Sequence, residues 1–198
     1  YPMTRLIRGL VLALFTLGLV FSIGSTWTTR HLYEVDGFVD ATAAIGKNEQ
    51  VRSTMINVTA VQLTAKLPVG PNISAQVSSA VTEVLTKLVD QPEFDMAWRE
   101  SMHRTHEHQF FGAETPRVLT LNLAPFVDMA IAESRTLTFL GVTAPEEVLV
   151  EVPSIRVDLA VKAVSAAAEY RFFGYLVTIL AGVIYFATSR PRRRAKSV

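Results

Sequence analysis

The sequence predicts a mainly α-helical membrane protein, in which two transmembrane helices flank a mostly helical extracytoplasmic domain with a small two-stranded β element. Three observations lead to this prediction. Two long, apolar stretches without charged residues lie toward the two ends of the 198-residue chain. The acidic residues are confined to the region between these stretches. Within that region, apolar residues recur mostly at the three-to-four-residue spacing of amphipathic helices.

The first uncharged stretch covers residues 9–29, with the sequence GLVLALFTLGLVFSIGSTWTT. Its 21 residues are enough to cross a hydrocarbon core of about 30 Å at about 1.5 Å per residue. Trp27 lies near its far end, where an indole suits the headgroup layer. Ser22 and Gly24 also fit the small-residue pattern of a signal-peptidase site, but we expect the segment to be retained as an anchor.

The second uncharged stretch covers residues 172–189, with the sequence FFGYLVTILAGVIYFATS, and its 18 residues are near the lower limit for a span. Arg171 and Arg190 flank it, and their long side chains can reach the membrane surface. From Asp158 to Tyr170 the sequence is rich in alanine and has no helix breaker. We therefore expect one long helix to run from the outer domain into this span and to couple the domain rigidly to the membrane.

The distribution of charge predicts the orientation of both spans. Residues 30–170 contain all 18 Asp and Glu but only 11 of the 19 Lys and Arg, which gives this region a net charge of −7 and the remainder +8. Because Lys and Arg favour the cytoplasmic side, we expect both termini in the cytoplasm and the central region outside the plasma membrane. The predicted parts are an N-terminal transmembrane helix at 1–29, an extracytoplasmic domain at 30–170, a C-terminal transmembrane helix at 171–190 and a basic cytoplasmic tail at 191–198.

The basic residues after the second span are candidate membrane-surface residues. These residues are Arg190, Arg192, Arg193, Arg194 and Lys196. They act either as a simple topology anchor or as a binding site for anionic lipid headgroups or an acidic partner, and the sequence leaves both readings open.

Helix signals dominate the first half of the outer region. Asp36 is expected to cap a helix that ends at Gly46. Asn48 is expected to cap a second helix, which runs through Leu67 and has an apolar face. The sequence LPVGPN then breaks the chain.

Two further helices are expected after this break. Apolar residues recur at helical spacing over residues 73–88. Asp90 and Pro92 are expected to begin the next helix, which stops near Gly112.

Two short strands are expected in the second half of the outer region. Leucine alternates with threonine and asparagine over residues 119–123, and valine occupies alternate positions over residues 148–152, before Pro153. Between them, Pro125 is expected to open a helix. Because two strands alone are only marginally stable, we expect them to pair and to pack on helices.

Three of the four histidines lie within the stretch WRESMHRTHEH, residues 98–108. On one helix at 100° per residue, His106 falls at the border of the buried face, His108 inside it and His103 on the opposite side. These directions do not converge on one metal ion, and the H-E-x-x-H pattern is absent. We expect His106 or His108 to be buried and hydrogen-bonded, and His103 to form a surface pair with Glu107 four residues later.

Other catalytic patterns are missing from the sequence. The chain has no cysteine, which excludes disulfides, thiolate zinc sites, c-type haem attachment and a cysteine nucleophile. It has no G-x-S-x-G elbow, P-loop or G-x-G-x-x-G motif. The acidic clusters at Glu146-Glu147 and around Asp90 lie at helix starts or in loops. We expect neither an enzyme nor a cofactor or metal site, and no nucleic-acid partner.

Small residues recur at four-residue spacing in both uncharged stretches. Gly174, Thr178 and Gly182 form one series, and Gly18 and Ser22 form a shorter one. Such residues let helix backbones approach closely. The two spans could pack on each other, or they could dock on another membrane protein; a two-helix hairpin leaves room for both. No charged residue lies in either stretch, which argues against a proton path, a channel or a transporter.

The order of these features resembles that of a family of actinobacterial membrane proteins with two spans and a helical extracytoplasmic loop. The matching segments are WTTRHLYEVDGFVDATAAIGKNEQVRSTM, LVDQPEFDMAWRESMHRTHEH, LTLNLAPFVD and the valine-rich strand before Pro153. At Met102 and His103 the chain departs from the Asn-Arg that is usual in the family. Small accessory proteins of similar build associate with the actinobacterial cytochrome bcc–aa3 respiratory supercomplex, so the resemblance implies a role of that kind.

We therefore expect a non-enzymatic accessory subunit that docks on and stabilises a larger membrane complex, with the respiratory supercomplex as the candidate. Its partners would be membrane lipids and other integral membrane proteins. The alternative is an extracytoplasmic ligand-binding or envelope-associated membrane protein that acts independently of the respiratory chain.

Overall fold

The computed structural model describes residues 2–66, 71–114, 116–139 and 141–189. Over these ranges the chain is mainly helical, with a long apolar helix toward each end and a small antiparallel sheet between them. It divides into two compact units, one made of Tyr1–Arg30 with Ala163–Val198 and the other of His31–Lys162.

The described helices and strands follow one another along the chain. In order they are α1 Pro2–Thr28, a π-helical segment Thr29–Tyr33, α2 Val35–Gly46, α3 Glu49–Lys66, α4 Pro71–Leu88, α5 Pro92–Phe111, β1 Val118–Asn122, α6 Ala124–Glu133, α7 Arg135–Phe139, β2 Leu149–Arg156 and α8 Asp158–Ser189.

Two of these segments are long and apolar enough to cross a membrane. They are Leu6–Tyr33 and Asp158–Thr188, judged by length and composition. The continuous 32-residue helix α8 confirms the prediction that no break separates the alanine-rich stretch from the second apolar stretch. The π-helical segment after α1 was not predicted.

The predicted helix starts in the first half of the His31–Lys162 unit are partly confirmed. The side-chain oxygen of Asn48 accepts hydrogen bonds from the backbone amides of Gln50 and Val51 at 3.0 and 3.2 Å, so Asn48 caps α3 as expected. The cap predicted at Asp36 is wrong, because Glu34 occupies the N-cap position of α2. Asp36 lies in the first turn, where a carboxylate suits the helix dipole. The predicted end of α3 at Leu67 lies outside the described residues.

Helices α3 to α6 enclose the apolar core of this unit. The ring centroids of Phe94 in α5 and Phe126 in α6 lie 5.0 Å apart in an edge-on arrangement. The other large, fully buried apolar side chains are Leu63, Val77, Val81, Leu85, Leu123, Val127, Leu137 and Val148. The spacing of the buried residues within α4 confirms the helical period of that segment.

The start and end of α5 match the predicted boundaries closely. Pro92 lies in the first turn and Gly112 is the C-cap, while Gln91, not Asp90, is the N-cap residue. Proline is well suited to the first turn, since its missing amide would have no partner within the helix there.

Strands β1 and β2 pair antiparallel, with Leu119 opposite Val152 and Leu121 opposite Val150. The prediction that the second strand ends at Pro153 is wrong. Val118 pairs with Arg156, so residues 153–155 form a bulge and the strand continues beyond it. A bulge tolerates proline because its residues make no ladder hydrogen bond.

The outer edge of β1 is covered by a stripe of polar side chains on α5. The hydroxyl of Ser101 donates to the carbonyl of Asn122 at 2.6 Å. The amide of Asn122 donates to the hydroxyl of Thr105 at 2.9 Å, and the amide of Thr120 donates to the side-chain oxygen of Gln109 at 3.3 Å. These three residues recur every four positions and satisfy the edge of β1 as a third strand would. We call Ser101, Thr105 and Gln109 the edge clasp.

Candidate functional site

Helices α1 and the C-terminal part of α8 pack through the small residues of both apolar stretches. Thr178 donates to the carbonyl of Gly174 at 2.8 Å, so the hydroxyl of Ser22, 3.2 Å from that of Thr178, is the donor between the two helices. A Cβ atom on Gly18 would lie 2.5 Å from the Thr178 hydroxyl oxygen. The two backbones therefore approach each other closely where Gly18 faces Thr178.

The same arrangement continues along both helices. A Cβ atom on Gly174 would lie 2.6 Å from the ring of Phe21, and one on Gly182 would lie 3.1 Å from the ring of Phe15. We call Gly18, Ser22, Gly174, Thr178 and Gly182 the small-residue seam. Because the seam is occupied by contacts within the chain, a partner helix would have to use another face of α1 or α8.

The side of α8 away from the seam is covered by exposed apolar side chains. Phe173, Leu180 and Ile184 are 65%, 52% and 49% exposed. Their spacing of seven and then four residues places them along one line of the helix. We call these three residues the outer stripe of α8. Their exposure is unfavourable in water and favourable against lipid or another apolar helix.

The predicted membrane-surface residues Arg190, Arg192, Arg193, Arg194 and Lys196 lie outside the described residues. Within the described residues, the guanidinium of Arg8 donates to the carbonyl of Thr188 in the last turn of α8. A cation in this position complements the negative end of the α8 dipole.

In the His31–Lys162 unit, His106 has the buried, hydrogen-bonded role that the sequence predicted. Its side chain has no exposed surface, and its Nε2 lies 3.1 Å from the carbonyl oxygen of Leu32. The ring centroids of Phe38 and Phe110 lie 5.1 and 4.7 Å from that of His106. His106 therefore ties the start of this unit to α5 through one hydrogen bond and an aromatic cluster.

The predicted placement of the other two histidines is only partly right. His108 was expected inside the buried face but is half-exposed. Phe38 of α2 covers the side of α5 that carries His106. That side is therefore buried, while the side that carries His108 is not. His103 faces outward, and its Nδ1 lies 3.8 Å from the nearer carboxylate oxygen of Glu107.

Burial lowers the pKa of His106. Hydrogen bonding with the backbone of Leu32 and Tyr33 and the nearby Glu107 oppose this shift, whereas the nearby His103 adds to it. The Nδ1 atom of His106 is buried without a hydrogen-bond partner among the described residues. Protonation would place a second N–H there with no acceptor, so the neutral form, with the proton on Nε2, fits the site.

No group of three or more His, Asp or Glu within the described ranges could hold a metal ion. In the acidic cluster around Asp90, both Asp90 and the nearby Asp95 have an ion-pair partner. Asp90 and Asp95 lie 2.9 and 3.3 Å from the guanidinium of Arg52. The acidic cluster around Asp90 is therefore part of an ion-pair network.

Sequence reasoning missed Arg52. Its Nε donates to the carbonyl of Gly46 at 2.8 Å, and its guanidinium lies 5.4 Å from the ring centroid of Phe94. The residue thus joins the end of α2 and the start of α3 to the start of α5. The available signal was its position in the first turn of α3, where a cation opposes the helix dipole and needs a tertiary partner.

Trp98 is a buried side chain of α5. It is 5% exposed, and its ring packs directly on Gly46. A Cβ atom at position 46 would lie 2.6 Å from two ring carbons. The glycine therefore serves a close approach between α2 and α5 as well as the helix end.

A polar groove of about 490 Å³ lies between α3 and α4. Its wall includes Lys47, Arg52, Asn57, Thr82 and Asp90. Arg52 and Asp90 in this wall pair with each other at 2.9 Å, and Asn57 is one of its uncharged polar residues.

The chain matches no protein-family model, no curated protein and no solved structure. The fold itself defines the class: a mainly helical chain with two possible membrane spans flanking a central helical domain.

Proposed function

We propose that this chain is a non-enzymatic accessory subunit of a larger plasma-membrane complex, with the actinobacterial cytochrome bcc–aa3 respiratory supercomplex as the candidate. Both termini lie in the cytoplasm and the central helical domain lies outside. The two spans dock on other integral membrane proteins, and the central domain caps the assembly on its outer side.

The observation that carries this proposal is the contrast between the seam and the outer stripe. The seam residues face each other within the chain, whereas Phe173, Leu180 and Ile184 are exposed along one line of α8. A helix pair that closes its small residues internally leaves the outer stripe as a surface for lipid or for another membrane helix. The choice of the respiratory complex rests on the family resemblance.

The central domain supports a structural role. Three of the polar side chains buried on α5, Ser101, Thr105 and Gln109, hydrogen-bond to the backbone of β1. The charged group on the inner side of α3, Arg52, is neutralised by Asp90 and Asp95. These groups stabilise the fold and are not free to act on a substrate.

Purification of the tagged full chain from an actinobacterial membrane in mild detergent tests the proposal. We expect haem absorbance and respiratory subunits to co-purify with the chain. The double variant Phe173→Ala/Ile184→Ala, which shortens the outer stripe, should lose most of this material. Phe172→Ala/Ile179→Ala makes the same two changes on another exposed side of α8 and should retain it.

Elution of the wild-type chain alone would reject the accessory-subunit proposal. Co-purification of a different membrane complex, without haem, would keep the docking role and reject the respiratory candidate. Equal loss in both double variants would show that the outer stripe is not the docking face.

The polar groove between α3 and α4 favours a second candidate, an extracytoplasmic ligand-binding protein that acts independently of the respiratory chain. In that case native mass spectrometry of the purified chain should detect a retained small molecule. Asn57→Leu, which removes an uncharged polar group from the groove wall, should abolish its retention. A chain without any retained molecule would reject this candidate.

A further inference from the structure

An apolar groove of about 530 Å³ runs along the surface of the helix pair formed by α1 and α8. Its wall consists of Phe15 on α1 and, on α8, residues including Ile179, Gly182, Val183 and Phe186. The groove exists because Gly182 has no side chain beside the Phe15 ring, 3.1 Å from where its Cβ would be. It lies on a different side of α8 from the outer stripe, since Ile179 and Ile184 point about 140° apart at 100° per residue.

The length of the groove suits a hydrocarbon chain. Its α8 wall extends from Thr178 to Ala187, which is about 14 Å of helix at about 1.5 Å per residue. The bulky walls are exposed, with Val183 at 61% and Phe186 at 68%.

A positively charged side chain, Arg8, lies at one end of the groove. Ala187 is followed by Thr188, whose carbonyl accepts a hydrogen bond from the exposed guanidinium of Arg8. A guanidinium has five N–H donors, so Arg8 retains donors for another group. In the sequence, the basic run that begins at Arg190 follows directly after α8.

We propose that this groove binds one anionic phospholipid, with an acyl chain between Phe15 and Val183 and the phosphate at Arg8. The positive end of the helix pair is the cytoplasmic end in the proposed topology, and the cytoplasmic leaflet is where anionic headgroups attract basic segments. The lipid site requires that α1 and α8 cross the membrane as a pair, and it requires no partner protein.

Lipid retention by the full chain tests this proposal. The chain is reconstituted in vesicles of equal parts phosphatidylglycerol and phosphatidylcholine with identical acyl chains, extracted in mild detergent and examined by native mass spectrometry. We expect one retained phosphatidylglycerol per chain and little phosphatidylcholine. Arg8→Gln should reduce the preference for phosphatidylglycerol.

A matched pair of substitutions separates the groove from the general lipid surface. Ile179→Trp fills the groove and should lose the retained lipid, whereas Ile184→Trp makes the same change on the outer stripe and should keep it. Equal retention of both lipids by the wild type, or equal retention by both tryptophan variants, would overturn the proposal.

A second measurement uses only the wild-type chain, so its result does not depend on whether the variants fold. Wild-type chain in vesicles with a photoactivatable phosphatidylglycerol acyl chain should give adducts on Phe15, Val183 or Phe186. Adducts spread evenly over both exposed sides of α8, or crosslinks between two copies of the chain at these residues, would contradict a lipid site.

Discussion

The hydroxyl oxygen of Thr105 lies 2.9 Å from the backbone nitrogen of Asn122 and accepts its hydrogen bond inside the central unit. This contact is the middle of the edge clasp, in which Ser101, Thr105 and Gln109 satisfy the outer edge of β1. Ser101 and Thr105 belong to the histidine-containing stretch 98–108, and Gln109 follows it directly, so this stretch also holds the edge of β1.

Replacing Thr105 with valine should destabilise the central unit. The side-chain shape is kept, but the buried amide of Asn122 loses its acceptor, which costs about 1–3 kcal/mol. Chemical unfolding followed by circular dichroism on the full chain measures the effect. Thr86→Val makes the same change at an exposed position of α4 and should alter the free energy of unfolding little. A similar free energy for both variants would contradict the edge clasp.

Replacing Gly46 with alanine should also destabilise the protein. The new methyl group would lie 2.6 Å from the Trp98 ring, and overpacking of a core costs about 1–3 kcal/mol, more than the gain in helix propensity. Gly9→Ala is the matched control, because nothing lies within 4 Å of its Cβ position. Thermal unfolding should separate the two variants, and an unchanged Tm for Gly46→Ala would show that α2 and α5 adjust freely.

The stability of the central unit should fall as the pH drops below about 6.5, the ordinary pKa of histidine. Burial lowers the pKa of His106 in the folded protein, so the unfolded chain binds this proton more readily. The stability contributed by neutral His106 is therefore complete above the unfolded pKa and is lost as the pH falls toward the folded one. The slope from this single group is at most about 1.4 kcal/mol per pH unit.

Two variants assign this pH dependence to one residue. His106→Gln keeps a donor for the Leu32 carbonyl and removes the titrating group, so the slope between pH 7.5 and 5.5 should flatten. His108→Gln, on the half-exposed side of α5, should leave the slope in place. An unchanged slope in His106→Gln would assign the titration to another group.

Cysteines at positions 22 and 178 should form a disulfide under mild oxidation. The hydroxyl oxygens of Ser22 and Thr178 lie 3.2 Å apart, and the chain contains no natural cysteine that could compete. Ser22→Cys/Thr178→Cys should therefore shift in a non-reducing gel. Gly24→Cys/Thr178→Cys should not, because position 24 has nothing within 4 Å of its Cβ. No crosslink in the first pair would contradict the seam.

The helices could be predicted largely from local signals. Asn48 was recognised as a cap because its side chain is a better acceptor for a free helix amide than those of its neighbours. The continuity of α8 followed from the absence of proline or glycine between Asp158 and Phe172. Such signals act within one or two turns, so one sequence is enough to read them.

Tertiary contacts were harder to predict. Leucine and threonine alternate in β1 as in a strand with an apolar face, yet Thr120 and Asn122 are buried while Leu119 and Leu121 are only half-buried. The reason is the edge clasp. Its side chains come from α5, so the sequence of β1 alone does not predict which face is buried. Arg52 was missed for the same reason, since its partners lie about forty residues later in the chain.

Site-specific photocrosslinking in intact membranes tests the accessory-subunit account most directly. A photoreactive amino acid is placed at Ile184 on the outer stripe or at Ile179 beside the groove, and the adducts are identified by mass spectrometry. The account predicts a crosslink from position 184 to a different integral membrane protein, and lipid adducts from position 179. Lipid adducts alone at position 184, or crosslinks only between copies of this chain, would contradict it.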